Sequence, residues 1–407
     1  TGANTLSFSS INTYTGGTPL TGGTLSIDAD ADLGAASGDI TFNGGTLAST
    51  NTLTLGSGRA VTVNENSGTL ETASSTTLTL DGVISGSSSA TLAITGAGTL
   101  TINATNTFSG LYDVSAGTLK IGTGNTLDAD ATVNLDGTGT ILDLSAESEE
   151  FGILTGTGRV KLDDATIGLG HDSAGADFTF AGIIGETDDT GGLTKAGGGN
   201  LTLTGTSVYQ GDTVIDGGTL TFGHATNTLR ANSDIFINND STLAIGSNSD
   251  TVGAITLNSG NITGTTGTLT GSSYTVKSGN ISAQLGGTNV TLTKSGSGTV
   301  TLAGDNSYTG DTTVTAGTLE LGASERIANT SDLIVNGGTF DLNDFTETLG
   351  TVSGTGGTID LGSGTLISTN ATAQTYNGNI TGGKNGTFQK LGSGTLTLGG
   401  ENTLTGT

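Results

Sequence analysis

Leu292-Thr293-Lys294-Ser295-Gly296-Ser297-Gly298-Thr299-Val300-Thr301-Leu302 decides the fold, because the chain repeats it. The block returns as Leu193-Thr194-Lys195-Ala196-Gly197-Gly198-Gly199-Asn200-Leu201-Thr202-Leu203 and as Phe388-Gln389-Lys390-Leu391-Gly392-Ser393-Gly394-Thr395-Leu396-Thr397-Leu398. Around Ile94 to Ile102 it stands once more, with Thr95 read in place of the Lys. A second signature, Asn306-Ser307-Tyr308-Thr309-Gly310, is matched at Asn12 to Gly16, Asn106 to Gly110 and Asn402 to Gly406. Its ring positions Tyr14, Phe108, Tyr209 and Tyr308 lie 94, 101 and 99 residues apart, and Leu404 follows after 96. A shorter rhythm runs underneath. Gly298, Gly317, Gly338 and Gly357 each open a Gly-Thr-apolar string and are spaced by 19, 21 and 19 residues; Gly98, Gly117 and Gly139 do the same in the second quarter.

Within each short step the residues alternate strictly, as in Gly317-Thr-Leu-Glu-Leu321. Period-two alternation with β-branched neighbours is a half-buried strand, with Leu, Val, Ile and Phe on one face and Thr on the other. Glycine pairs such as Gly217-Gly218 and Gly356-Gly357 supply the corners between strands. Helix is disfavoured: the 3.6-residue period is missing, and Glu147 to Glu150, the one stretch of helical composition, is too short. A unit of about 20 residues cannot bury its apolar face alone, but stacking on copies of itself does so. The expected fold is therefore all-β, a right-handed single-stranded parallel β-helix of about 20 coils, on the order of 95 Å long at the strand spacing. One continuous domain is expected over 1-407, divided by the long period into 4-97, 98-198, 199-297, 298-393 and a fifth beginning at 394-407. Tandem immunoglobulin-like domains would also suit a unit of that length, but they have no 20-residue sub-period, and the chain has no core Trp and no Pro-marked linkers.

Composition narrows function. Gly (72) and Thr (82) make up 154 of the 407 residues; Cys, Met and Trp are absent and Pro occurs once. No Cys means no disulfide framework and no thiolate metal site, and two His leave multi-His metal centres hard to assemble. A net charge of −26 repels nucleic acid and anionic lipid. No apolar run is long enough to span a bilayer as a helix, and no charged-then-apolar leader opens the chain at Thr1-Gly2-Ala3, which reads as a mature fragment or a piece of something longer.

The two signatures together resemble the passenger-associated transport repeat of autotransporter proteins, also called the autotransporter-associated β-strand repeat. Residues 292 to 322 match it almost position for position, 193 to 223 and 92 to 122 match well, and 4 to 27 and 386 to 407 are partial copies. The resemblance implies a β-helical passenger at the outer surface of a Gram-negative bacterium, of a kind that includes adhesins, biofilm factors and stalks. The secretion signal and C-terminal membrane barrel that such proteins carry are not in this stretch. On this reading Gly98, Phe108, Gly117, Lys195, Tyr209, Gly218, Lys294, Gly298, Tyr308, Gly317, Lys390 and Gly394 are structural marks of the repeat.

Enzymatic β-helices exist, so carboxylate pairs need inspection. Asp163-Asp164, Asp188-Asp189 and Glu149-Glu150 are adjacent, and neighbours on one strand point to opposite faces. Asp188 and Asp189, in a Gly-rich loop, are the weak candidates for calcium, although neither the RTX nonapeptide nor the EF-hand pattern occurs. Arg59, Arg159, Arg230 and Arg326, 71 to 100 residues apart, fall in different repeats and form no cluster, His171 and His224 read as exposed, and Asn12, Asn106, Asn306 and Asn402 read as local corner caps. Thr-x-Thr strings suggest an ice-binding solenoid, but Glu320, Asp341 and Asp360 interrupt the face. The sequence thus points to a structural or adhesive extracellular protein with no catalytic residues, cofactor or metal. Its expected partners are itself, end to end because both ends share a repeat phase, or cell-surface glycans and proteins. A polysaccharide lyase or hydrolase is the alternative.

Overall fold

The computed structural model describes residues 4–123, 127–145, 147–226 and 228–405; Thr1-Gly2-Ala3 and Gly406 of the last signature lie outside them. The chain is an all-β parallel β-solenoid of about 19 turns with ~21 residues per turn and almost no helix. It forms two compact units, Thr1–Gly211 and Asp212–Thr407.

In the first unit every turn returns the chain to the same register. Leu6, Leu25, Leu47, Leu70, Ile94, Val114 and Leu135 are successive partners on parallel strands, followed by Gly156, Phe180 and Leu203. Except for Leu6 and Gly156 these side chains are buried, with outward neighbours half-exposed, as in Thr24–Ile27 and Thr46–Ser49. The second unit has equivalent columns, Leu220–Leu243–Ile262 and Val300–Leu319–Phe340–Ile359–Ile380. A slip of one residue would turn every such column out to solvent, so the alternation read from the sequence fixes the register.

The single described helical turn is Asp30–Leu33, where the Asp32 carboxylate accepts the N–H groups of Asp28 and Ala29. The stretch of helical composition is not helix: its Glu149 and Glu150 open the strand Glu149–Phe151, which pairs with Ile167–Leu169, with Glu149 inward and Glu150 outward.

Polar side chains also stack. In the second unit, Lys277 Nζ donates to Asn258 Oδ1 (2.6 Å), Asn258 Nδ2 to Asn238 Oδ1 (2.6 Å) and Asn238 Nδ2 to Asp216 Oδ1 (2.7 Å). Each residue directly follows a paired strand, so one ladder runs from a cation through two amides to a carboxylate. The signature asparagines also reach beyond their own turns. Asn106 Oδ1 accepts the N–H of Ile84, Asn306 that of Leu285 and Asn402 that of Ile380, each about one turn back. They are brackets between turns as well as local caps, because the corner of one turn lies over the corner of the last.

Candidate functional site

The repeat signature builds a corner. Lys294 ends the strand Leu292–Lys294 in an inward position, between Val276 and Val314 in register, and is fully buried. Its stem therefore lies among aliphatic side chains while Nζ turns to the backbone. Nζ donates to the carbonyls of Ser295 (2.7 Å), Gly296 (3.0 Å) and, one turn on, Ala316 (3.0 Å). Three acceptors match the three protons of an ammonium. Lys195 is likewise buried and donates to Ala196 and Gly197, and the half-buried Lys390 donates to Gly392. Burial lowers the Lys195 and Lys294 amines from their ordinary value. At the corresponding corner of the first unit the register places Ile94, not Thr95, in the lysine position; Ile94 is buried, and Thr95 points outward. The sequence comparison was one residue out because it followed polarity rather than the inward phase of the strand.

The other marks of the repeat serve the same corner. Gly117, Gly218 and Gly317 have left-handed backbone, at φ 72°, 58° and 64°. A Cβ on Gly317 would meet the carbonyls of Gly296 and Gly298 and the Lys294 ammonium, and one on Gly117 the carbonyls of Gly96 and Gly98. Gly98, Gly298 and Gly394 similarly lie against the preceding turn. Phe108, Tyr209 and Tyr308 are fully buried. Tyr308 Oη bonds Thr312 Oγ1 at 2.8 Å and Tyr14 Oη bonds Thr18 Oγ1 at 2.9 Å; in the phenylalanine version Phe108 makes an edge-on contact with Tyr112, four residues on, at 5.2 Å.

A surface hollow of about 470 Å³ in the first unit is lined by Arg159, Asp163, Asp164, Glu186, Thr187, Asp188 and Asp189. It corrects two expectations. Asp163 lies in a turn at φ 53° rather than on a strand, so alternation does not separate it from Asp164, and the turn length brings Glu186, Asp188 and Asp189 of the next turn beside Arg159. Asp189 is not solvated: it is buried, and Oδ2 accepts the N–H groups of Leu162 (3.0 Å) and Glu186 (2.7 Å). Asp188 is exposed beside it. Asp164 accepts the Thr190 hydroxyl at 2.6 Å, Asp163 pairs with Lys161 at 2.9 Å, and Arg159 approaches Glu186 at 3.8 Å. The hydrogen bond from Lys161 to Asp163 raises the lysine amine. Most of these acids are thus engaged by the chain itself, within a turn or between neighbouring turns. Among the described residues, no group of three or more His, Asp and Glu is arranged to hold a metal ion.

His171 and His224 are half-buried rather than exposed. His171 Nε2 lies 3.9 Å from Glu150 Oε2, and the His224 ring contacts the Thr226 carbonyl. The Thr-x-Thr pairs Thr77/Thr79 and Thr99/Thr101 align, but in the next strand the second threonine becomes Lys120. In the second unit Glu320, Asp341 and Asp360 occupy successive rungs. Sequence reasoning also missed a set of buried acids. Glu149, Asp250 and Glu347 each accept the backbone N–H of an apolar residue one turn earlier: Leu127 (2.8 Å), Leu229 (2.9 Å) and Ile327 (3.1 Å). The signal that could have found them is their recurrence once per long period, at intervals of 101 and 97 residues.

The family model of the passenger-associated transport repeat matches residues 1–27, 95–121, 193–222, 292–321 and 388–407. The chain is 30% identical over 451 aligned positions to the Adhesin BmaC autotransporter of Brucella suis biovar 1, across 93% of this chain. It spans only 13% of that relative's length. No solved structure matches the chain. Passengers of this family are surface-exposed or extracellular. Five matches to the repeat model, on a parallel β-solenoid similar along nearly its whole length to an autotransporter, place the chain in the family of autotransporter passengers with passenger-associated transport repeats.

Proposed function

We propose that this segment is a non-enzymatic adhesive part of its passenger, in which the acidic solenoid is the stalk and the outward strand faces and loops make contact. The observation that carries this reading is the similarity to a protein named as an adhesin along 93% of the chain. The local chemistry agrees with it: the polar groups at the corners are engaged by the chain's own backbone, which suits support more than turnover. The net charge of −26 favours neutral or cationic partners over nucleic acid and anionic lipid. Glycan arrays and binding to mammalian and bacterial cells test the proposal with the purified chain. Saturable binding to one class supports it; no binding to any leaves a passive stalk.

One observation favours a second reading. A polysaccharide lyase needs a base to remove the proton beside a uronate carboxyl and a cation to neutralise that carboxyl, and Arg159 lies among Asp163, Asp164, Glu186 and Asp188. Incubation with acidic polysaccharides, followed by the ultraviolet absorbance of an unsaturated uronate, distinguishes the two. Product formation abolished by Arg159→Ala would replace the adhesive reading.

Self-association is a separate proposal. Light scattering across concentration tests it, and a constant monomer mass overturns it.

A further inference from the structure

Glu347 is fully buried in the second unit, on the strand Thr346–Leu349, opposite Leu366 of the next turn. Its oxygens accept two backbone N–H groups from the turn before, Oε2 from Arg326 (2.8 Å) and Oε1 from Ile327 (3.1 Å). The Arg326 guanidinium faces elsewhere: it donates to the carbonyls of Ser324 and Ala303 and lies 3.9 Å from Asp305. Glu325, with φ 54°, lies close enough to act on Glu347 electrostatically. Its Oε1 accepts the Thr348 hydroxyl, and its Oε2 is buried with no hydrogen-bond partner. The buried Tyr308 hydroxyl, bonded to Thr312, is the other titratable group coupled to this corner. No side-chain cation among the described residues forms a salt bridge to Glu347. Glu347 is therefore a fully buried carboxyl held by two backbone N–H groups, with the partly buried Glu325 nearby and an arginine whose guanidinium is directed to Ser324, Ala303 and Asp305. A buried carboxyl in that setting lowers its free energy by taking up a proton.

We propose that Glu347, with Glu325 beside it, is a proton-uptake site that makes this part of the solenoid more stable in acidic than in alkaline surroundings. Burial raises the Glu347 carboxyl to about 8 against its ordinary 4.5; the two N–H donors and the Arg326 charge oppose this, and Glu325 adds to it. The folded state thus binds a proton that the unfolded chain has released. The contribution is fully present below 4.5 and is lost as pH rises through about 8. Glu149 and Asp250 make the same N–H contact, so the device is a variation on a repeated structural acid.

The test is urea unfolding of the full chain across that window, with amide hydrogen exchange at Ile327, corrected for intrinsic rate, to localise the effect. For the wild type the unfolding constant of this region should rise by up to about tenfold per pH unit within the window. Glu347→Gln, neutral throughout, should remove that rise, and Glu325→Gln should move its upper end to lower pH. Should Glu347→Gln not fold, carboxyl NMR titration of the wild type still decides. A Glu347 midpoint above neutrality supports the proposal; an ordinary glutamate midpoint, or an unchanged slope in Glu347→Gln, overturns it.

Discussion

The Lys294 corner and the Ile94 corner are one backbone with two fillings. A Cβ on Gly317 or on Gly117 would meet the same pair of carbonyls, those of Gly296 and Gly298 or of Gly96 and Gly98. The turn-to-turn hydrogen bonds also coincide: Thr318 N to Gly298 O and Thr118 N to Gly98 O are both 3.1 Å. In one case a buried lysine donates to the Gly296 carbonyl and to those of Ser295 and Ala316, and in the other a buried aliphatic side chain takes the lysine's place. The corner is therefore set by glycine and the ladder, and lysine is an addition to it. The difference also exposes the lysine corner to a failure the other escapes, because removing the ammonium takes a buried stem out of the core and leaves three carbonyls at a partly exposed corner without their donor.

Lys294→Ala should consequently give the largest effect, a loss of about 2–4 kcal/mol in the stability of the second unit, from the lost stem packing and the lost hydrogen bonds. Denaturant unfolding followed by hydrogen exchange at Ser295 to Thr299 measures it. A loss under about 1 kcal/mol would mean that water replaces the ammonium and that the two fillings are equivalent. Next come Gly317→Ala and Gly117→Ala. Each forces alanine into left-handed backbone, at about 1–2 kcal/mol, before any clash. Gly317→Ala should cost more, since its methyl also meets Lys294 Nζ, 2.6 Å from the Cβ position. Equal melting shifts would show that the ammonium moves aside freely.

The alternation, the ~21-residue turn and the corner glycines were legible in the sequence because each imposes a residue type at a fixed spacing. The lysine position reads one residue out at Thr95 when polarity alone is matched, although Ile94 stands four residues before Gly98 as Lys294 does before Gly298. The ladder Asp216–Asn238–Asn258–Lys277 steps by 22, 20 and 19 residues, so it lines up only after each turn's length is known. The hollow around Arg159 was hidden for the same reason: residues 159–164 and 186–189 meet only across turns. Glu149 and Glu347 occupy inward positions that alternation assigns to apolar residues, and only the N–H group that each accepts explains them.

The reciprocal replacement is milder. If the carbonyl geometry of the Ile94 corner is ready for an ammonium, Ile94→Lys should cost only about 1–2 kcal/mol, well below the several kcal/mol of an unpaired buried charge. A loss of that larger size in urea unfolding would show that the Ala316 carbonyl, which completes the Lys294 cage, is indispensable.

The smallest expected effect is a slope in alkali. Burial lowers the Lys294 amine below its ordinary 10.5, so the folded chain gives up this proton before the unfolded chain does. Its contribution to stability therefore grows as pH rises from the folded value to 10.5, and is lost as pH falls back through the folded value. Buried tyrosines act in the opposite sense: burial raises the Tyr308 hydroxyl above its ordinary 10, so the unfolded chain ionises first and stability falls there. The wild-type curve alone mixes the two. Subtracting the curve of Lys294→Ile, which copies the Ile94 filling, removes the tyrosine contribution and leaves the lysine's. A rising difference toward 10.5 fits an ammonium held against burial by carbonyls alone, while a flat one would mean that those carbonyls fully replace water.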